Sequence, residues 1–513
     1  TTGEEDANPC NLSIGDFNGD GLPDILAYGQ DLYTNTTATD DVALRIYSCQ
    51  GYDSASGKVT SVTDEMGTTA SISYKSLTDP TVYEKGTGVA FPVVDCQPAM
   101  HVVSSVTSGN GAAGNHTVNY HYAGLKSHMQ GRGLLGFTTT RTTDNSTGTV
   151  TETVNDSLDS RWYIPLRTTV VTTIGNDSAQ SISRSVKFNS GSNNYFIRPF
   201  SLTETDMDGN VTTTSFTHDA DNGQMTLRRT SYGSGMYKQE DYSGYALHGG
   251  KWQPSQITLS QKHEDDNMPF SSTTTFTYDD RGLPLTEVSM SGTPFAITTT
   301  RTYDTFGNIL SKSVSGSGIN TVTSYREYDP SGRFVTRQYT QPASTVTEYT
   351  YNTWGNVLME KDITDSSNPL TTTYTYNGWG QQASVSYPYD ASASIPSSNT
   401  GSSTPKTTYT RGWGSTQAKR YFVVEQPTGS SWAKTWYDAK GREVETETIG
   451  SGLVRSTRIT SYNNKGLPTR IENTTGNIVI AEDITYDSRG RKSSEQWNSG
   501  RSVSYEYGNR MVN

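Results

Sequence analysis

Through most of the chain, one apolar or aromatic residue alternates with one hydroxyl-bearing residue. Phe276 and Tyr278, Tyr349 and Tyr351, Tyr374 and Tyr376, and Ile484 and Tyr486 each stand two apart, with Thr275, Thr277, Thr350 and Thr375 at the positions flanking them. A period of two places the aromatic set on one face of a strand and the threonine set on the other. No helical period of useful length occurs, so the pattern predicts an all-β chain. The alternation breaks on one recurring phrase: Tyr, then Asp or Asn, two variable residues, Gly, and often Arg or Asn.

The phrase occurs at Tyr278-Asp279…Gly282, Tyr303-Asp304…Gly307, Tyr328-Asp329…Gly332, Tyr351-Asn352…Gly355 and Tyr376-Asn377…Gly380. It returns at Tyr437-Asp438…Gly441, Tyr462-Asn463…Gly466 and Tyr486-Asp487…Gly490. Within each run the tyrosines recur every 23 to 25 residues. The 61-residue gap from Tyr376 to Tyr437 is expected to hold a degenerate copy at Tyr409…Gly412-Trp413-Gly414 and a Ser/Pro/Thr-rich loop over about Asp390 to Lys406. Diverged copies are expected upstream, at Asp64 to Gly67 and at Asp206 to Asn210. An Asp or Asn after a strand accepts bonds from its own turn, and the glycine supplies the positive φ of the reversal. Each unit therefore predicts a hairpin of two short strands. One hairpin is not stable alone in water, so the units must stack into a solenoid or spiralling sheet.

Composition supports strands over disorder. Hydrophobic residues are only 32% and charged residues 18%, yet the net charge of −12 over 513 residues is too weak to hold a chain expanded. Tyr (32 residues) and Thr supply strand propensity in place of aliphatic bulk. The acidic balance argues against a nucleic-acid partner. No run of 18 apolar residues exists, so no membrane-spanning helix is expected. Thr1 to Asp6 are polar and acidic, so no signal peptide is expected to remain. Three cysteines (Cys10, Cys49, Cys96) form no disulfide framework; Cys10 with Cys49 is one conceivable pair, and free thiols are the expectation.

The strongest local motif is Asp16-Phe17-Asn18-Gly19-Asp20-Gly21-Leu22-Pro23-Asp24. Oxygen ligands at alternate positions, a glycine for the sharp turn and a closing Asp suit Ca²⁺. The side chains of Asp16, Asn18, Asp20 and Asp24 with the Leu22 carbonyl are the expected ligands, in a structural role. The alternative is an Asx-rich turn without metal. Position 12 of the loop is Ala27, so the bidentate glutamate of an EF-hand is absent, and the motif resembles the FG-GAP loop of propeller blades instead. His116, His121 and His128 have no zinc-ligand spacing. Nucleophile elbow, P-loop and dinucleotide fingerprints are all missing, and the repeat carboxylates are explained by turn chemistry. No catalytic residue is expected.

The Tyr-Asp…Gly units resemble the YD or RHS repeats of bacterial polymorphic toxins, of the B and C components of insecticidal Tc complexes, and of teneurins. Two stretches narrow the resemblance: Tyr74-Lys75-Ser76-Leu77-Thr78-Asp79-Pro80…Tyr83, and Gln130 to Phe137 preceded by Tyr120 to Gly124. Both are similar to the middle region of Tc B components. The resemblance implies a spiralling shell or cocoon wall of RHS strands. A remnant propeller-type unit is expected at 1–50, a Tc B-like middle region at 51–265, and a YD array at 266–513. It further implies a secreted or cell-surface, non-enzymatic shell that encloses a toxin cargo. Its partners would be other shell segments, a C-component-like chain and a translocation channel. An adhesion scaffold of the teneurin kind is the alternative. Self-cleaving relatives carry D-P-x-G-x-x-D; here Asp329-Pro330-Ser331-Gly332 runs on to Val335 at the closing position, so no self-cleavage site is expected. Both ends read as unfinished, so a fragment of a longer polypeptide is the expectation.

Overall fold

The computed structural model describes residues 11–507, apart from 31–41, 50–56, 112–113, 156, 159–162, 191–193, 221, 389–404, 430, 451 and 453. Every regular element among them is a strand. Asn11–Gly15, Asp24–Gln30 and Val42–Tyr47 form a small antiparallel sheet of their own. From Ser61–Thr63 to Ser502–Ser504 the chain builds one large sheet in which nearly every strand pairs antiparallel with its chain neighbours. Pairing runs unbroken across position 265, where Gln256 to Gln261 lie opposite Phe270 to Thr275. The loop expected near Asp390 lies largely outside the described residues, as does Cys10; Cys49 and Cys96 are free thiols.

Antiparallel order follows from the repeat. A tight turn returns each strand beside its predecessor, and period-two alternation fixes which face each side chain takes. The threonine face pairs across strands, with hydroxyl contacts at Thr277–Thr286 (2.6 Å), Thr302–Ser311 (2.7 Å), Thr375–Ser384 (2.8 Å) and Thr485–Ser494 (2.8 Å). The opposite face carries the tyrosines. Little of either face is fully covered. The molecule exposes 31562 Å², where a compact monomer of this mass would expose about 18,000 Å². It is a wall one sheet thick.

The main exception is the stretch around residues 75–137. Leu77, Val82, Tyr83, Val102 and Leu125 form the hydrophobic core cluster, with Cys96, Met100, Tyr122 and Phe137 packed against it. The cluster exists because the chain from Leu77 to Met100 folds back over the sheet. Tyr83–Glu84 joins the long strand Asn115–His128 in parallel at Tyr122–Ala123, and Val93–Asp95 joins it antiparallel at Lys126–His128. The Tyr83 hydroxyl donates to the Cys96 carbonyl (2.8 Å) and accepts from the Leu125 amide (3.1 Å).

One expected turn is displaced. Tyr409 to Trp413 lie inside the strand Lys406–Trp413, and the reversal runs from Gly414 to Arg420. No Asp or Asn follows Tyr409 to accept the turn amides there, so strand pairing with Tyr421–Pro427 continues through Gly412.

Leu77 is fully buried at the centre of the cluster. Leu77→Ala should cost about 2–5 kcal/mol in denaturant unfolding. The same change at Leu310, on the exposed wall, should cost far less.

Candidate functional site: the repeat turns and the seam

Each repeat turn is built the same way. In Tyr278–Leu283, the Asp279 amide donates to the Leu283 carbonyl (2.9 Å) and the Gly282 amide to the Asp279 carbonyl (2.9 Å). The Asp279 carboxylate accepts the amides of Arg281 (3.0 Å) and Leu283 (2.8 Å). Asp304, Asp438 and Asp487 repeat these contacts, and so do Asn352, Asn377 and Asn463; at Asp329 the amide donates one residue further on, to the Phe334 carbonyl (2.9 Å). The glycines stand at positive φ, from 68° at Gly332 to 93° at Gly307, with 78° at Gly441 and 80° at Gly490. A non-glycine residue there would be strained. The diverged turn at Asp206 forms alike, with its carboxylate accepting the amides of Asp208 and Asn210 (both 2.9 Å).

The tyrosine has a role that the periodicity did not disclose. Its hydroxyl reaches back to the carbonyl that opens the return strand of the preceding hairpin. Tyr303 donates to Pro284 (2.7 Å), Tyr328 to Ile309 (3.2 Å), Tyr351 to Val335 (2.7 Å) and Tyr376 to Val357 (2.8 Å). Tyr462 donates to Glu443 (2.7 Å) and Tyr486 to Pro468 (2.6 Å). Tyr278 reaches Pro254 (2.9 Å), and Tyr245, outside any recognised copy, reaches Met225 (2.6 Å). Tyr437 follows the irregular turn and stacks on Tyr421 instead, with ring centroids 4.6 Å apart. Burial raises the phenols of Tyr278, Tyr303, Tyr351, Tyr376, Tyr437, Tyr462 and Tyr486 above their ordinary pKa.

The turns that follow Tyr278 through Tyr486 lie on one rim of the sheet, the Asp206 turn on the other, and side chains lace the first set together. Arg281 donates to the Asp304 carbonyl (2.7 Å), Asn308 to the Gly332 carbonyl (2.7 Å) and Lys465 to the Ser488 carbonyl (2.9 Å). Asn308, which closes its phrase, and the cations before the glycine at Arg281 and Lys465 thus hold the next turn, while the closing Arg442 and Arg491 bond their own aspartates.

The rim also meets the opposite rim of the early strands, more than 280 residues away in sequence. Gln417 donates to the Gly67 carbonyl (3.3 Å), and Thr68 to the Ala439 carbonyl (3.2 Å). Arg442 pairs with buried Asp438 (2.6 Å) and donates to the Asn110 carbonyl (2.7 Å). Asn110 donates to Asn464 (3.2 Å). Arg489 bridges Asp177 (2.8 Å), Asp208 and the Met207 carbonyl (2.8 Å). The sheet therefore spirals until late turns rest on early ones. No ladder register joins the two terminal strands among the described residues; the seam is made by turns.

In the Asp16–Asp24 loop, Asp16 accepts the amides of Gly19 (2.7 Å) and Gly21 (2.8 Å). Asp24, fully buried, accepts those of Phe17 (3.0 Å) and Cys49 (3.0 Å), and Asp20 accepts that of Leu22 (2.8 Å). In this arrangement no three Asp, Glu, His or Cys side chains converge as a metal shell among the described residues. Asp16 Oδ1 and Oδ2 each accept one amide, whereas Asp24 Oδ2 accepts two, from Phe17 and Asn18 (3.3 Å), so part of the loop's oxygen capacity is spent within the turn itself.

Comparison with known proteins fits this architecture. Residues 2–164 match the family described as the insecticide toxin TcdB middle/N-terminal region. Among curated protein sequences nothing matches. The crystal structure of TcdB2–TccC3 superposes at a TM-score of 0.65 with 10% identity, covering 97% of this chain and 36% of that one. The Tc holotoxin pore of Photorhabdus luminescens, with a mutated TccC3, superposes at 0.61 with 9% identity, covering 98% and 37%. The chain thus spans little more than a third of the length of the structures it matches. It resembles the middle region and shell of Tc toxin B components, and its fold is the spiralling β-shell expected from the repeats. The match over 2–164 includes both middle-region phrases, and the first of these builds the core around Leu77.

The turn carboxylates set an acid limit. The Ser331 hydroxyl and the Phe334 amide hold Asp329 down at about 2, and Lys75 and Thr81 hold Asp79 at about 2. Asp177 is also lowered, chiefly by Arg489. A lowered folded-state pKa gives stability that is present above the ordinary carboxylate value and lost as pH falls through the folded one. The thermal midpoint should therefore fall steeply between about pH 4 and about pH 2. A flat profile across that window would show the turns do not depend on ionised carboxylates.

Proposed function

We propose that the chain is a non-enzymatic wall segment of a secreted toxin-complex shell, of the kind that encloses a toxin cargo in Tc B components. The observation that carries this reading is the sheet itself: one layer, solvated on both faces, curved until distant turns meet at a seam. Such a wall has little interior of its own, so its surface is useful mainly as the boundary of a space. The match over 2–164 and the fold shared with TcdB2–TccC3 support the toxin-complex context. On this reading the partners are further shell segments, a C-component-like chain, the enclosed cargo and a translocation channel.

The reading is tested on the full natural polypeptide produced with its complex partners. Electron microscopy should give a curved wall around a cavity, and a cargo segment should resist protease until the shell is denatured. A straight solid rod, or cargo cut as fast with the shell as without it, would overturn the proposal.

We propose also that the N-terminal loop takes structural calcium through Asp16, Asn18, Asp20, the Leu22 carbonyl and Asp24, as an FG-GAP-type unit. Its amide bonds hold the carboxylates in register before metal arrives. Saturating calcium should raise the unfolding midpoint of this region relative to chelator, and Asp20→Ala should abolish the rise. No shift in the unsubstituted protein would leave the amide network as the whole explanation of the motif.

A further inference from the structure

In every repeat the residue just before the turn glycine has one place. Its amide is tied to the Asp or Asn side chain, as at Arg281, Phe306, Trp354, Trp379, Lys440 and Lys465, at 2.9 to 3.0 Å. Its side chain is not fixed by the turn: Arg281 and Lys465 reach the next turn of the same rim, while Arg489 leaves it. Where the rim is covered, Arg489 and Lys440 at this position meet the facing layer, beside Gln417, Arg442 and Asn464 from other positions. Arg489 spans to Asp177, Asp208 and the Met207 carbonyl. Lys440 lies so close to Gly111 that a Cβ there would stand 2.8 Å from its side chain.

The same position in three earlier repeats of that rim is aromatic. Phe306, Trp354 and Trp379 are 67%, 87% and 86% exposed. The turn does not need a ring there, since arginine, serine and lysine occupy the equivalent place in other repeats. Three large rings on one rim are also costly to leave wet. The turns at 304–307, 352–355 and 377–380, with the serine-bearing turn at 329–332 after the first, precede on the same edge those at 414–420, 438–442 and 463–466 that touch early turns.

We infer that Phe306, Trp354 and Trp379 form a docking rim that continues the seam. Its occupant is a further layer of β-shell presenting glycine-bearing hairpin turns. The chemistry has precedent within this chain. The Phe306 ring lies so close against the next turn that a Cβ on Gly332 would come within 2.4 Å of it, and the Phe334 ring stands likewise against Gly355, at 2.7 Å. Glycine turns offer bare peptide faces on which rings can lie. Aromatic side chains also suit the centre of an interface, burying large area with few rotatable bonds. A charged layer such as the one Arg489 grips would find no cation at these three positions.

The test places a photo-crosslinking phenylalanine derivative at position 354 or 379 of the full-length protein, purified as its assembled complex, with position 489 as a control. Both tryptophans are surface residues, so the fold should tolerate the exchange. Irradiation and peptide sequencing should join 354 and 379 to hairpin-turn peptides that contain glycine, outside the turns flanking them. Products with any other surface, whether cargo, glycan or lipid, would overturn the inference, and so would solvent-quenched probe with no product. The control at 489 should join the turn at 206–209. Its success with failure at 354 and 379 would leave the shell reading standing and remove only the docking rim.

Discussion

The wall depends on the bond between a tyrosine hydroxyl and a backbone carbonyl one hairpin away. A hairpin cannot bury enough surface to stand alone in water, and here there is almost no second layer to help it. Ladder bonds hold adjacent strands, but they alone would allow the units to shift against one another. The tyrosine reaches across that ladder. Tyr303, Tyr328, Tyr351 and Tyr376 each find the first carbonyl of the preceding return strand. Its ring also covers the sheet face between the two contacts, which accounts for an aromatic where serine or lysine could have reached water. Burial under that cover raises the phenols of Tyr303, Tyr351 and Tyr376 above their ordinary pKa.

Curvature then brings distant parts together, and polar chemistry takes over from packing. At the seam the contacts are charge-assisted and directed at carbonyls, as with Arg489 on Asp177 and Met207 or Arg442 on Asp438 and Asn110. Hairpin rims expose backbone oxygens that neither ladder nor turn satisfies, and guanidinium groups can serve two of them at once. The wall can thus be apolar-poor throughout and still close. Among the described residues a conventional core appears near Leu77, where an inserted stretch is folded over the sheet.

Much of this was legible in the sequence. Period-two alternation with Asp and Gly at fixed offsets gave strand, turn and repeat together, because in a hairpin each depends on residues close in the chain. The middle-region phrases pointed to the family later matched over residues 2–164. Four things were not legible, each for a physical reason. The tyrosine hydroxyl partners lie 16 to 24 residues back, so no local pattern marks them. The seam joins turns hundreds of residues apart, and Arg489 looks like any variable repeat position until the sheet curves. The turn after Tyr409 slid to Gly414 because no Asp or Asn stood behind that tyrosine to stop the strand. Among the Asp16–Asp24 residues the register was visible, while the number of oxygens given to backbone amides was not.

The tyrosine bond is tested most directly by replacing Tyr303, Tyr351 and Tyr376 together with phenylalanine. The rings and their packing are kept, and only three hydroxyls are lost. Each buried hydrogen bond is worth about 1 kcal/mol, and the three sites lie far enough apart to add nearly independently. Urea unfolding should therefore show a loss of about 3 kcal/mol, with amide exchange quickening first in the strands Pro284–Ser289, Val335–Gln341 and Val357–Asp362. An unchanged midpoint with unchanged exchange in those strands would contradict the account, leaving ladder and rim contacts alone to hold the wall.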